Sequence, residues 1–87
     1  MNFGMNGKRA LIQGASSGLG FAVAEALSAE GVRIAICARG GERLTRAKER
    51  LGAELAIAAD LSVAGQSASV VERAAQALGG VDILVVN

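Results

Sequence analysis

The stretch QGASSGLG, residues 13–20, stands between an apolar run, ALI (10–12), and a helical-looking run, FAVAEAL (21–27). Its glycines and serines are the most flexible residues in this part of the chain, set between the two most ordered-looking segments. Such a loop is either a plain connector or a place where the backbone touches a ligand. The choice depends on what flanks it.

Outward from the loop, strand and helix signals alternate. RALIQ (9–13) is a short apolar strand that stops at Gly14. From Gly18 the period changes: Leu19, Ala22, Val23, Ala26 and Leu27 fall at helical spacing and are expected to form one inward face. Gly31 is placed to end that helix. VRIAICA (32–38) reads as a buried strand. Leu44, Ala47 and Leu51 mark a second helix between Gly41 and Gly52, and ELAIAA (54–59) is a third strand. A third helix is expected over roughly 64–78 with Val70, Val71, Ala74, Ala75 and Leu78 inward, and VDILVV (81–86) is a fourth strand.

This β-α-β-α-β-α-β order argues for an α/β fold, a Rossmann-type parallel sheet sandwiched by helices, of which residues 1–87 are the first half only. Right-handed crossovers give the strand order 3-2-1-4, with the first two helices on one face and the third on the other. The order reverses between strands 1 and 4. Ligands of such sheets sit in the crevice at the carboxyl ends of the strands at that point, which is where residues 13–20 begin.

Composition narrows the function. Aliphatic residues dominate; there is no Trp, no Tyr and no His, and Phe3 and Phe21 are the two aromatics. A net charge of +1 with so few rings gives no nucleic-acid surface. No apolar run approaches the roughly 20 residues of a membrane span. The single Cys37, with no leader pattern, points to the reducing cytoplasm.

A helix starting near Ser17 or Gly18 presents unpaired N–H groups and the positive end of its dipole, a ready anion site. Gly14 permits a tight turn out of the strand, Gly18 leaves room for phosphates or ribose, and Gly20 lets the helix pack close to the sheet. Ser16 and Ser17 offer hydroxyls. The bland alternative is a turn with a serine N-cap and no ligand. The spacing G-x-x-x-G-x-G, following a strand and opening a helix in a βαβ unit, favours the anion site.

GASSGLG (14–20) with this spacing resembles the cofactor loop of the short-chain dehydrogenases/reductases. Asp60-Leu61 after strand 3 is similar to that family's adenine-contacting Asp segment, and DILVVN (82–87) to the strand leading into its Asn-Asn-Ala-Gly segment. The resemblance covers essentially the whole chain, and its general look is close to the 3-oxoacyl-(acyl-carrier-protein) reductase branch. It implies a domain incomplete at its C-terminus, a cofactor-binding set of Gly14, Ser16, Ser17, Gly18, Leu19, Gly20, Arg39, Asp60, Leu61 and Asn87, and no metal. Two positions depart from the family pattern. Gln13 stands where the family usually has Thr, which puts the tie between loop and neighbouring strand in question, and Val86 stands where it usually has the first Asn. Asn87 then either ties the central sheet together near the cofactor or is a plain terminal residue. Asp60 either contacts adenine or caps the third helix.

Between Val32 and Gly41 there is no carboxylate to accept a ribose 2′-OH, and there is Arg39. A guanidinium there suits a 2′-phosphate, so NADP(H) is expected over NAD(H). The alternative is an ordinary solvated Arg before a helix that already carries Arg43, Arg46 and Arg50. Cys37 reads as core and not as a nucleophile.

The family transfers hydride between nicotinamide and a carbonyl or alcohol carbon, with a Tyr as acid/base. A chain without Tyr carries no such catalytic residue. The resemblance therefore implies the cofactor half of an enzyme that is completed by the remainder of a parent chain, acts on a small carbonyl or alcohol substrate, and forms a homo-oligomer when complete. These 87 residues alone are expected to be inactive. The alternatives are a nucleotide-binding module without chemistry and an interaction protein with a degenerate loop.

Overall fold

A computed structural model describes residues 4–87. The elements run β1 (Arg9–Gln13), α1 (Gly18–Ala29), β2 (Arg33–Ala38), α2 (Glu42–Leu51), β3 (Leu55–Ala58), α3 (Gln66–Leu78) and β4 (Ile83–Val85). Every strand pair is parallel and the sheet order is β3-β2-β1-β4. This is the expected first half of a Rossmann-type sheet.

Side chains alternate across the strands and both faces are used. Ala10, Ile12, Ile34 and Ile36 point to the face covered by α1 and α2, where Ala24, Leu44, Ala47 and Leu51 meet them. Leu11, Ala35, Cys37 and Ile57 point to the opposite face, against Val70, Ala74 and Leu78 of α3. The expected split of two helices and one is therefore present. It explains why the strands read as continuous aliphatic runs instead of alternating ones. On α2, Leu44, Ala47 and Leu51 are its buried residues. Each buried leucine contributes about 1.5–3 kcal/mol relative to exposure.

The inward face of α1 differs from the expected one. Gly20 and Ala24 are its buried residues, with Phe21 and Leu27 half-buried against the same core. Leu19 is 71% exposed, and Ala22 and Ala26 are exposed. The helix turns its smallest residues to the sheet because its first turn comes so close to the end of β1. A Cβ at Gly20 would run into the Gly14 carbonyl oxygen. Apolar periodicity alone counts Leu as inward and Gly as neutral, so it places Leu19, Ala22 and Ala26 inward wrongly, while Leu27 packs on the core as expected.

The end of the sheet opposite the glycine loop is closed by two arginines. Arg9 forks onto Asp82, Nε to Oδ2 at 2.9 Å and Nη2 to Oδ1 at 3.0 Å, and its Nη1 donates to the Gly79 carbonyl at 2.8 Å. Arg33 forks onto Glu54 at 2.7 and 2.8 Å, and its Nη1 donates to the Leu78 carbonyl at 3.1 Å. Two cations thus sit on the last carbonyls of α3, the negative end of its dipole, and each is fixed to a carboxylate flanking a neighbouring strand.

The bidentate hydrogen bonds from Arg9 hold the Asp82 carboxyl at about 2, below its ordinary 3.8. A depressed carboxyl stabilises the fold above its unfolded value and loses that contribution as pH falls toward the folded one. Acid unfolding should therefore steepen between about pH 4 and 2, and Asp82→Asn should remove that pH-dependent part while lowering stability at neutral pH. Thermal melts across this range check it; parallel curves for the two proteins would exclude the linkage.

Among the described residues nothing pairs with the outer edge of β4. Leu84, on the α3 face beside Leu11, is 49% exposed and Val86 is 73% exposed. An aliphatic edge of this kind pairs with another chain. The 87-residue chain should associate reversibly with itself, and the double substitution Leu84→Lys, Val86→Lys should restore a monomer. Light scattering over a concentration series measures this, and a wild-type chain that stays monomeric would show that the edge is harmless.

Candidate functional site

The chain leaves β1 at Gly14, whose φ of +67° is a left-handed value that glycine adopts freely. The N–H groups of Gly14 and Ala15 both donate to the Cys37 carbonyl, at 2.8 and 3.3 Å. The loop is thus tied to β2 by backbone alone, and Gln13 leaves that tie intact. On the other side, Asn87 Nδ2 donates to the Gly14 carbonyl at 3.3 Å. Of its two readings, the structure gives Asn87 a tie across the sheet, from the end of β4 to the start of the loop.

α1 then begins with Ser17 as an extended N-cap whose side chain makes no capping bond, and no acidic residue stands in the first turn. The leading N–H groups of this helix have no intrahelical acceptors. Gly18 has φ +62°, and a Cβ added there would meet nothing within 4 Å. The space over the first turn is open, while the space under it, at Gly20, is filled by Gly14 and Asn87. The two glycines of G-L-G thus do opposite things: one keeps a surface bare, the other admits a close contact.

The opposite wall comes from the ends of β2 and β3. Arg39 leaves β2 with its side chain 83% exposed, and its Nη2 lies 3.9 Å from Asp60 Oδ1. Asp60 does not cap α3, whose N-cap is Gly65. Its Oδ1 instead accepts from the Ser62 N–H at 3.0 Å and the Ser62 hydroxyl at 2.6 Å, and its own N–H donates to Gln66 Oε1 at 2.7 Å. These Ser62 bonds, with Arg39 adding a smaller share, hold the Asp60 carboxyl below its ordinary range. It stands as a fixed acceptor at the mouth of the site.

Between the walls lies a cleft of about 460 Å³, lined by Gln13, Gly14, Ser16, Ser17, Cys37, Ala38, Arg39, Ala59, Asp60, Leu61, Ser62 and Asn87. Seven of the ten residues singled out from the sequence are in that lining. Gly18 and Leu19 are exposed outside it and Gly20 is buried below it. Gln13 and Ser62 are polar lining residues that the sequence reading did not count. Ser62 was legible as part of an Asx turn with Asp60; Gln13 was marked only as standing where the resembled family usually has Thr, with nothing to say that it lines a cleft. Burial pushes the Cys37 thiol up, which agrees with a core role. Among the described residues no cluster of metal-ligating side chains occurs, and no helix is long and apolar enough to cross a membrane.

Comparison with known proteins gives consistent matches. Residues 8–87 match the family model for short chain dehydrogenase. Over 85 residues the chain is 41% identical to the glycine betaine reductase ATRR of Emericella nidulans, covering 93% of this chain and 7% of that protein. The structure of L-sorbose reductase from Gluconobacter frateurii, complexed with NADPH and L-sorbose, superposes with a TM-score of 0.87 at 40% identity, covering all of this chain and 35% of that one. A short chain dehydrogenase from Burkholderia cenocepacia in complex with NADP gives a TM-score of 0.84 at 40% identity, over 92% of this chain and 35% of that one. The chain spans about a third or less of the length of these relatives. With the loop, the strand order and the family match in agreement, the chain belongs to the short-chain dehydrogenase family.

Proposed function

We propose that residues 1–87 are the cofactor-binding part of an NADP(H)-dependent short-chain dehydrogenase/reductase acting on a small carbonyl or alcohol substrate. The observation that carries this reading is the cleft itself. It joins an uncapped helix N-terminus, a guanidinium and a fixed carboxylate around a space of nucleotide size. Two solved relatives are complexes with NADPH and NADP, which supports the cofactor class.

The residues present suit the group. The bare N–H groups of Gly18, Leu19 and Gly20, with the hydroxyls of Ser16 and Ser17, would hold the pyrophosphate. Arg39 would take the 2′-phosphate as a planar fork. Asp60 and Leu61 would receive the adenine, and Asn87 holds the Gly14 carbonyl so that the loop keeps its shape. The nicotinamide, when bound, supplies or accepts the hydride. The chain itself binds and orients. It contains no Tyr, so the acid/base group implied by the resemblance belongs to the remainder of a parent chain, and these residues alone should show no turnover. The named relatives concern substrates as unlike as glycine betaine and L-sorbose, so family membership assigns no substrate.

Arg39→Asp should weaken NADPH by about 1.5–3 kcal/mol, the worth of a hydrogen bond to a charged group, while leaving NADH little changed. Dissociation constants for both cofactors measure it; an unaltered NADPH/NADH ratio would remove Arg39 from the site. Gly18→Ala should keep the fold at a cost of about 1–2 kcal/mol for a side chain at positive φ, yet block the phosphates. Gly20→Ala should damage the fold itself. A Gly18→Ala protein that binds NADPH normally would reduce the loop to a connector.

A further inference from the structure

Among the described residues Gln13 is the one buried polar residue, 6% exposed, in the last position of β1. It is paired in register with Cys37 of β2, and Cys37 packs in the core on the α3 face. The side chain forms none of the hydrogen bonds among the described residues. Yet no buried side-chain nitrogen or oxygen among them is both sealed from solvent and without a partner. Both statements hold if the carboxamide reaches an open space beside it. Gln13 lines the cleft, so its amide faces the cleft floor with its donors and acceptor uncommitted.

An amide that opens on the cleft keeps donors and an acceptor for a ligand, and a direct hydrogen bond to one of them adds modestly to affinity. The position selects which part of a ligand this is. The anion-binding elements, Ser16 and Ser17 at the start of α1 and Arg39 after β2, line the same cleft. A neutral carboxamide on the floor adds nothing for phosphate but matches the donor and acceptor groups of a nucleoside. Resting on the cofactor reading above, we infer that Gln13 is a specificity-determining residue whose carboxamide hydrogen-bonds the nucleoside moiety of the bound dinucleotide, between the glycine loop and Asp60.

The test uses the 87-residue chain with two probes, adenosine 5′-diphosphate and inorganic pyrophosphate. Gln13→Met keeps the length of the side chain and removes both polar groups. The variant should bind adenosine 5′-diphosphate about three- to tenfold more weakly, the worth of one net hydrogen bond. Its pyrophosphate affinity and its melting temperature without ligand should be unchanged. In the wild-type chain, the Gln13 side-chain NH₂ resonances should move on addition of adenosine 5′-diphosphate and stay still with pyrophosphate. Equal nucleotide affinity in the two proteins, or an amide that ignores the nucleotide, would overturn the inference. So would a variant that melts lower without ligand or fails to fold, because Gln13 would then be a structural tie. Failure of the wild-type chain to bind adenosine 5′-diphosphate at all would instead bring down the cofactor reading, and this inference with it.

Discussion

The approach of α1 to the end of β1 is the constraint on which the site depends. Gly20 sits so close to the Gly14 carbonyl that no Cβ fits between them. That contact fixes where the helix begins and aims its first turn at the crevice. It also sets the face α1 buries, since Ala24, one turn on, continues the small-residue seam. Asn87 locks the same carbonyl from the β4 side, and Cys37 holds the loop's first two N–H groups from β2. Three strands thus converge on one turn of backbone. The unsatisfied N–H groups left at the helix start are a consequence of this geometry and a resource for binding an anion.

The two ends of the sheet divide the work of stability and recognition. At the end away from the loop, Arg9 and Arg33 satisfy the last carbonyls of α3 and pair with Asp82 and Glu54. Polar groups there are matched to one another. At the carboxyl ends of the strands several are not: Ser17 makes no side-chain cap, Arg39 stretches to 3.9 Å from its carboxylate, and the amide of Gln13, which lines the cleft, makes none of the hydrogen bonds among the described residues. Hydrogen-bonding capacity gathered in a single cleft suits a ligand site. The same asymmetry is general to doubly wound sheets, where crossovers place loops and helix starts together at one edge.

Much of the fold was legible because glycine punctuation and aliphatic runs are strong signals in a chain without proline or aromatic bulk. The strand order followed from handedness alone. The close approach at Gly20 was legible from the glycine spacing, but the rest of the α1 seam was not, because Ala24 carries less apolar weight than the exposed Leu19. The walls of the site were legible at Gly14, Ser16, Ser17, Arg39, Asp60 and Leu61, whose chemistry advertises itself. The floor was not. Gln13 stood out in the sequence as a departure from the family pattern, but its place in the cleft followed only from the register that sets it beside Cys37. The arginine closure was missed for a similar reason: Arg9 and Asp82 are 73 positions apart, and only the parallel pairing of β1 with β4 brings them together.

On this reading the convergent loop, Arg39 and Asp60 form one nucleotide site. The most direct test is a backbone amide shift map of the chain titrated with 2′-phosphorylated adenosine 5′-diphosphate. Saturable shifts should concentrate at residues 14–20, at Arg39 and at Asp60–Ser62, with Arg9, Arg33 and Asp82 at the far end undisturbed. Shifts that never saturate, or that centre on the arginine-closed end, would contradict the account.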